Sequence, residues 1–236
     1  GHTFSFPSKQ TDIYNARLLV WTKEFAIPGV EGEVVNDLLQ AAFDRRGLSN
    51  IKVVAVINDT VAELLTAGYQ YPDTQIGCIY ATGSNNCYME RTADVGRPAA
   101  IINMESGSFN KLAPSQWDNK LDEASEKPGR QRLEKMVSGR YMGELLSLTV
   151  QHLLNLQEKP EFTAIDMSGI MADTTAVASD AAKVISAKVG ALEPGEAAYI
   201  RDLTEAIAIR SARIVAACFA GILWHVSGSG KIADQH

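Results

Sequence analysis

The sequence predicts an α/β protein in which short strands come first and long helices follow. Three observations carry that prediction. The apolar runs Val53 to Ile57 and Ala99 to Met104 are short, β-rich in composition and end in polar residues. Turn-forming residues at Pro28-Gly29 and Ala81-Thr82-Gly83-Ser84-Asn85 punctuate the first hundred positions. Beyond Gly107, apolar residues recur three and four apart almost to the end. The predicted order is β-β-α-β, then a three-stranded antiparallel meander, then several long helices.

Taken in order, Thr3 to Phe6 alternates polar and aromatic residues and stops at Pro7, which predicts a short strand. Leu18 to Trp21 reads as a second strand ending in Thr22-Lys23. Val34, Val35, Leu38, Leu39, Ala42 and Phe43 have helical spacing, and Gly47 suits the helix end. The strand over 51–57 has few polar side chains and reads as buried on both faces. It ends abruptly in Asn58-Asp59-Thr60, and a helix carrying Val61, Leu64 and Leu65 begins at once. That polar end has two readings. Thr60 with Glu63 fits a capping box; equally, ligands sit at the carboxyl ends of strands in open α/β sheets.

Gln75 to Tyr80 and Cys87 to Glu90 form the first two meander strands; a loop over 94–98 leads to the third, Ala99 to Met104, which delivers Glu105. Pro128-Gly129 precedes one long amphipathic helix bearing Leu133, Met136, Val137, Tyr141, Leu145, Leu148 and Leu153, broken by Pro160. A shorter helix near 175–190 and a last long one from near Pro194 complete the chain. The boundaries read as a partial small domain over 1–58 and a large domain over 59–236.

Composition narrows the partners. At 46% hydrophobic and 21% charged, the 236 residues support a packed core. A net charge of -6 without a dense basic block argues against nucleic acid and anionic membranes. Cys78, Cys87 and Cys218 lack paired spacing, and the four histidines are scattered, so neither disulfides nor a metal site is expected. The most apolar run, Ile214 to Val226, falls short of the roughly 20 residues of a membrane span. A cytoplasmic protein is expected. Ser227-Gly228-Ser229-Gly230-Lys231 fails the phosphate-loop pattern, because Ile232 stands where Ser or Thr is needed.

An ordered series of short motifs then stands out: Thr3-Phe4-Ser5-Phe6-Pro7, Trp21-Thr22-Lys23, Ile57-Asn58-Asp59-Thr60-Val61, Gly83-Ser84-Asn85 and Cys87-Tyr88-Met89-Glu90. Asn103-Met104-Glu105, Pro128-Gly129-Arg130-Gln131, Glu134-Lys135-Met136-Val137-Ser138-Gly139 and Met142-Gly143-Glu144 continue it. In this order they resemble the eukaryotic hexokinase family, strongly over 1–155 and weakly to Ser211-Ala212-Arg213. The resemblance implies the actin-like ATPase fold of hexokinases and, by ancestry, ATP:hexose 6-phosphotransfer. It implies that hexose hydroxyls are held by Ser5, Thr22, Lys23, Asn58, Asp59, Asn85, Glu105, Gln131 and Glu134. Asp59 would be the general base, at a helix start where the macrodipole favours negative charge. The chemistry suits a sugar: carboxylates and amide oxygens accept from hydroxyls, while Lys, Ser, Thr and amide N–H groups donate. Taken singly, Gln131 and Glu134 could also be a solvated helix face, and Ser5 an ordinary strand serine.

The nucleotide side departs from the family pattern. This chain starts after the family's first phosphate hairpin and stops before its adenosine segment, so the fold is expected to be incomplete. Thr82 and Gly83 stand at the family's phosphate turn, but Ala81 replaces that turn's first glycine. Ala62-Glu63 replaces a Gly-Thr pair and sets a carboxylate where triphosphate would lie; Ser106 replaces a tryptophan, and Asn110-Lys111 a Gly-Asp pair. Phosphoryl transfer depends on positioned phosphates and Mg²⁺, so ATP-Mg is expected only if kinase activity survives. Three functions remain open: a hexose kinase; an ATP-independent lyase, isomerase or cyclase of specialised metabolism, with Asp59 as acid–base group and Lys23 and Asn58 polarising an oxygen; and a sugar sensor. Missing sheet strands leave edges, which predicts a homo-oligomer or a covering partner.

Overall fold

The computed structural model describes residues 4–22, 25–91 and 100–227. The chain divides into two compact units, 1–79 with 85–105, and 80–84 with 106–236. The first unit therefore takes in the polar segment at 58–60 and most of the meander.

In the first unit, β1 (Ser8–Asp12) and β2 (Asn15–Leu18) form an antiparallel hairpin, with Ser8 opposite Leu18 and Gln10 opposite Ala16. Alternation buries Ala16 and Leu18 and exposes Arg17. Both strands are displaced from their predicted positions. Pro7 precedes the first strand instead of ending it, and its carbonyl accepts from Leu19 N at 2.9 Å. Helix α1 (Val35–Arg45) lies where its periodicity places it, and Gly47 takes the left-handed φ of 72° that ends it. Buried Asn36 ties α1 to β2 by accepting from Ala16 N at 3.0 Å. Phe4, Leu18, Trp21, Val35, Val53 and Val56 form this unit's apolar core.

The run 51–57 is not a ladder strand. Its backbone is held piecemeal: Val53 N donates to Gln40 Oε1, Val56 N donates to Ile13 O, and Gln10 Nε2 donates to Val56 O. Nor is it buried on both faces, since Val54 is 76% exposed. Helix α2 (Asp59–Gln70) follows directly; its cap is Asn58, whose side chain accepts from Thr60 N at 2.9 Å, and not the predicted Thr60. Strands β3 (Ile76–Tyr80), β4 (Ser84–Glu90) and β5 (Ala100–Asn103) form a sheet in that order, β4 and β5 antiparallel with Cys87 opposite Asn103. The loop expected over 94–98 lies outside the described residues.

The second unit is helical after a short 3-10 turn at Ser106–Ser108. Helix α3 (Gln116–Ala124) starts with a Ser115–Asp118 capping box and α6 (Ala164–Met171) with a Thr163–Asp166 box; neither was singled out from periodicity. The predicted single helix after Gly129 is two, α4 (Arg132–Val137) and α5 (Gly139–Leu153). Ser138 between them is extended, and its hydroxyl donates to Glu134 O at 2.8 Å. Gly139 N donates to Ala81 O at 2.8 Å instead of to the preceding turn, so the break is made by the β3–β4 connection. Helices α7 (Ser179–Val189) and α8 (Glu196–Ser227) close the unit. Leu146, Val150, Ile170, Ile185 and Ile200 are fully buried in its core, each stabilising it by about 1.5–3 kcal/mol. At 32 residues with mean hydropathy 1.8 over its most apolar window, α8 is long and apolar enough to cross a membrane, contrary to the reading of 214–226 alone. The glycine-serine tail beyond Ser227 is outside the described residues.

Candidate hexose site

The first unit gathers part of the predicted site at the start of α2. Strand alternation puts Asn85 and Cys87 of β4 on the same sheet face as Asn103 of β5 and the following Glu105. That face lies under α2: Cys87 Sγ donates to Thr60 O at 3.2 Å. Gly77 of β3 permits the approach, because a Cβ there would stand 2.7 Å from Thr60 O and 2.9 Å from Cys87 Sγ. Burial pushes the Cys87 thiol up to about 11, with the Glu63 and Asp59 carboxylates adding to it, so this thiol is a structural donor and not a nucleophile.

From this packing a chain of side-chain hydrogen bonds follows. Fully buried Thr60 places its N–H 2.9 Å and its Oγ1 3.5 Å from Asp59 Oδ1. Asn85 Nδ2 donates to Thr60 Oγ1 at 3.3 Å and to Asn103 Oδ1 at 2.7 Å, and Asn103 Nδ2 donates to Glu105 Oε1 at 2.9 Å. Glu105 holds a left-handed φ of 50°, a conformation that side-chain-bearing residues adopt rarely and mostly where neighbouring contacts impose it. Asn58, Asp59, Asn85 and Glu105 thus converge. Asn103, absent from the predicted set, joins them; the period-two pattern of Ile101, Asn103 and Glu105 is the signal that could have found it.

Ser5 and Thr22 belong to the same unit by another route. Phe4, Phe6, Trp21 and Phe25 pack edge to face or tilted, with Trp21 and Phe25 stacked and the Phe6 and Trp21 centroids 4.7 Å apart, which brings the segments carrying Ser5 and Thr22 together. Trp21 is fixed by Nε1 donating to Ile27 O at 2.9 Å. Lys23 lies outside the described residues. A 260 Å³ cavity lined by Phe4, Phe6, Gln10, Asn58 and Asn103, among others, opens beside the α2 start.

Gln131 and Glu134 belong to the second unit. Glu134 is not on a solvated face: it is 5% exposed and accepts from Ser84 N at 3.3 Å. The opposite side of α4 explains its placement. Lys135 donates to Asp122 Oδ1, Ser125 Oγ and Lys127 O, all within 2.8 Å, while Arg132 pairs with Asp122 Oδ2 at 2.7 Å. Burial raises the Asp122 carboxyl, but Lys135, Gly129 N and Arg132 outweigh it and hold it below the usual range. Gln131 adopts φ 51°, and its Oε1 would meet a Cβ at Gly107 at 2.6 Å. At the nucleotide-side turn, Thr82 is exposed and its carbonyl accepts from Arg140 N at 3.3 Å; Gly83 O accepts from Ala81 N at 2.9 Å.

Comparison with known proteins agrees with these motifs. Two models described as hexokinase match residues 1–69 and 75–234. Mouse Hexokinase-1 is 36% identical over 94% of this chain, and rat Hexokinase-2 is 38% identical over 96%. The chain spans only 25% and 27% of their lengths. A solved hexokinase from Schistosoma mansoni, complexed with glucose, superposes with a TM-score of 0.86 at 32% identity, covering 94% of this chain and 55% of that one. The fold is therefore a partial hexokinase fold, and the chain belongs to the hexokinase family.

Proposed function

We propose that the chain is a hexose-binding member of this family, with Asp59 as the group that would accept a proton from the sugar's primary hydroxyl. The carrying observation is the hydrogen-bond chain from Asp59 through Thr60, Asn85 and Asn103 to Glu105. It supports a preorganised acceptor set of the kind hydroxyl recognition needs. The glucose in the Schistosoma relative supports the choice of ligand. Ser5, Thr22, Lys23, Gln131 and Glu134 complete the proposed binding set.

Efficient phosphoryl transfer by this chain alone is not part of the proposal. Ala81 in the phosphate turn and the exposed Glu63 carboxylate in α2's second turn both disfavour a triphosphate. The same departures favour, as a second reading, a non-kinase enzyme that uses Asp59 as acid–base group. Exposed Val54 in the unladdered 51–57 run supports a second copy or partner over that segment; a monomer by light scattering would refute this part.

Calorimetric titration with glucose, together with an ATP-coupled phosphorylation assay, tests the reading. Glucose binding that Asp59→Asn weakens, without appreciable turnover, is expected. Brisk ATP-dependent turnover would overturn the nucleotide half, and absence of glucose binding the hexose half.

A further inference from the structure

Asn103 occupies the middle of the hydrogen-bond chain, and the proposed binding set leaves it without a task. Its Oδ1 accepts from Asn85 at 2.7 Å and its Nδ2 donates to Glu105 at 2.9 Å. An amide does both, carrying its acceptor and its donor on one planar group. The Glu105 carboxylate accepts only, so it fixes which end of the amide faces it. Asn103 is partly exposed and lines the cavity beside Asn58, so it borders solvent-accessible space instead of filling the core.

Resting on the hexose reading, we propose that Asn103 is a positioning residue of the sugar site. It holds the Glu105 carboxylate in one orientation and links it to Asn85, and through Asn85 to Thr60 at the start of α2. A carboxylate already ordered loses less freedom when a hydroxyl arrives. Asn103 itself need not touch the sugar.

The test uses the whole chain and three variants, Asn103→Asp, Glu105→Gln and their combination, titrated with glucose, with the Asn103 side-chain amide followed by NMR. Asn103→Asp keeps shape and the acceptor for Asn85 but removes the donor to Glu105 and sets a second carboxylate against it. It should bind glucose about tenfold or more weakly, with an unchanged circular dichroism spectrum. In the Glu105→Gln background the same change should cost little more. Unchanged affinity in Asn103→Asp, or losses that simply add, would overturn the proposal. If the aspartate variant does not fold, Asn103→Ala takes its place with the same expectations. The NMR arm needs no sugar: Glu105→Gln should shift the Asn103 amide resonances and speed their exchange, and unmoved resonances would overturn the positioning role. Should the unaltered chain fail to bind glucose while those resonances still move, the hexose reading and Asn103's part in it fall, and the Asn103–Glu105 link alone stands.

Discussion

Gly77 sets how closely α2 lies on the sheet, and Gly77→Ala tests that directly. The added methyl would stand 2.7 Å from Thr60 O, 2.9 Å from Cys87 Sγ and 2.9 Å from Leu64 Cβ, where ordinary contact begins near 3.4 Å. The shortfall is about half an ångström or more against three atoms, one of them backbone, and such overpacking costs roughly 1–3 kcal/mol. Replacing a strand glycine by alanine returns about 0.5–1 kcal/mol of backbone entropy. The net expectation is a loss of about 1–2 kcal/mol in urea unfolding, with an unchanged m-value. Adding Cys87→Ala should recover only part of it, because the Thr60 carbonyl cannot move without the helix. Stability within about 0.5 kcal/mol of the unaltered chain would refute the close-packing argument.

Arg210 forks onto Asp118 at 2.8 and 2.9 Å, with the Asp118 side chain 3% exposed; Arg210→Met strands that carboxylate and should cost about 3 kcal/mol by denaturant titration, Asp118→Asn less. Burial raises Asp118, but Arg210 and Ser115 outweigh it, so Asp118 and Asp122 both sit below their ordinary values. Their contribution to stability is complete above the ordinary carboxylate pKa of about 3.9 and disappears as pH falls through their lower folded values, so melting temperature should drop steeply below about pH 4; a flat acid limb would contradict this. Cys87, with its thiol pushed up to about 11 and buried, should resist a thiol reagent at neutral pH until the chain unfolds; labelling at the rate of an exposed cysteine would contradict the packing.

Much of this arrangement was legible in the residues, and the exceptions share a cause. The periodicity of α1, α2 and the meander depends on local side-chain alternation, so those elements lie close to where the sequence puts them. The run 51–57 has strand composition, but a strand also needs a neighbour, and here the side chains of Gln40 and Gln10 take that place. The helix break at Ser138 depends on the Ala81 carbonyl, far away in sequence, so no local pattern could show it. Asn58 caps α2 in place of Thr60 because the helix begins at Asp59, which leaves Asn58 just outside it and makes Thr60 its second residue. The site motifs were readable as types in order; the order in which Thr60, Asn85, Asn103 and Glu105 join hands was not, because the β4–β5 register and the packing of α2 on that sheet fix it.

Hydrogen–deuterium exchange with and without glucose tests the central claim most directly, since it reports where the sugar acts. Glucose should slow exchange in peptides spanning 57–62, 84–87 and 103–106 and leave α7 unchanged. Protection confined to other segments, or none at saturating glucose, would contradict the placement of a hexose at the start of α2.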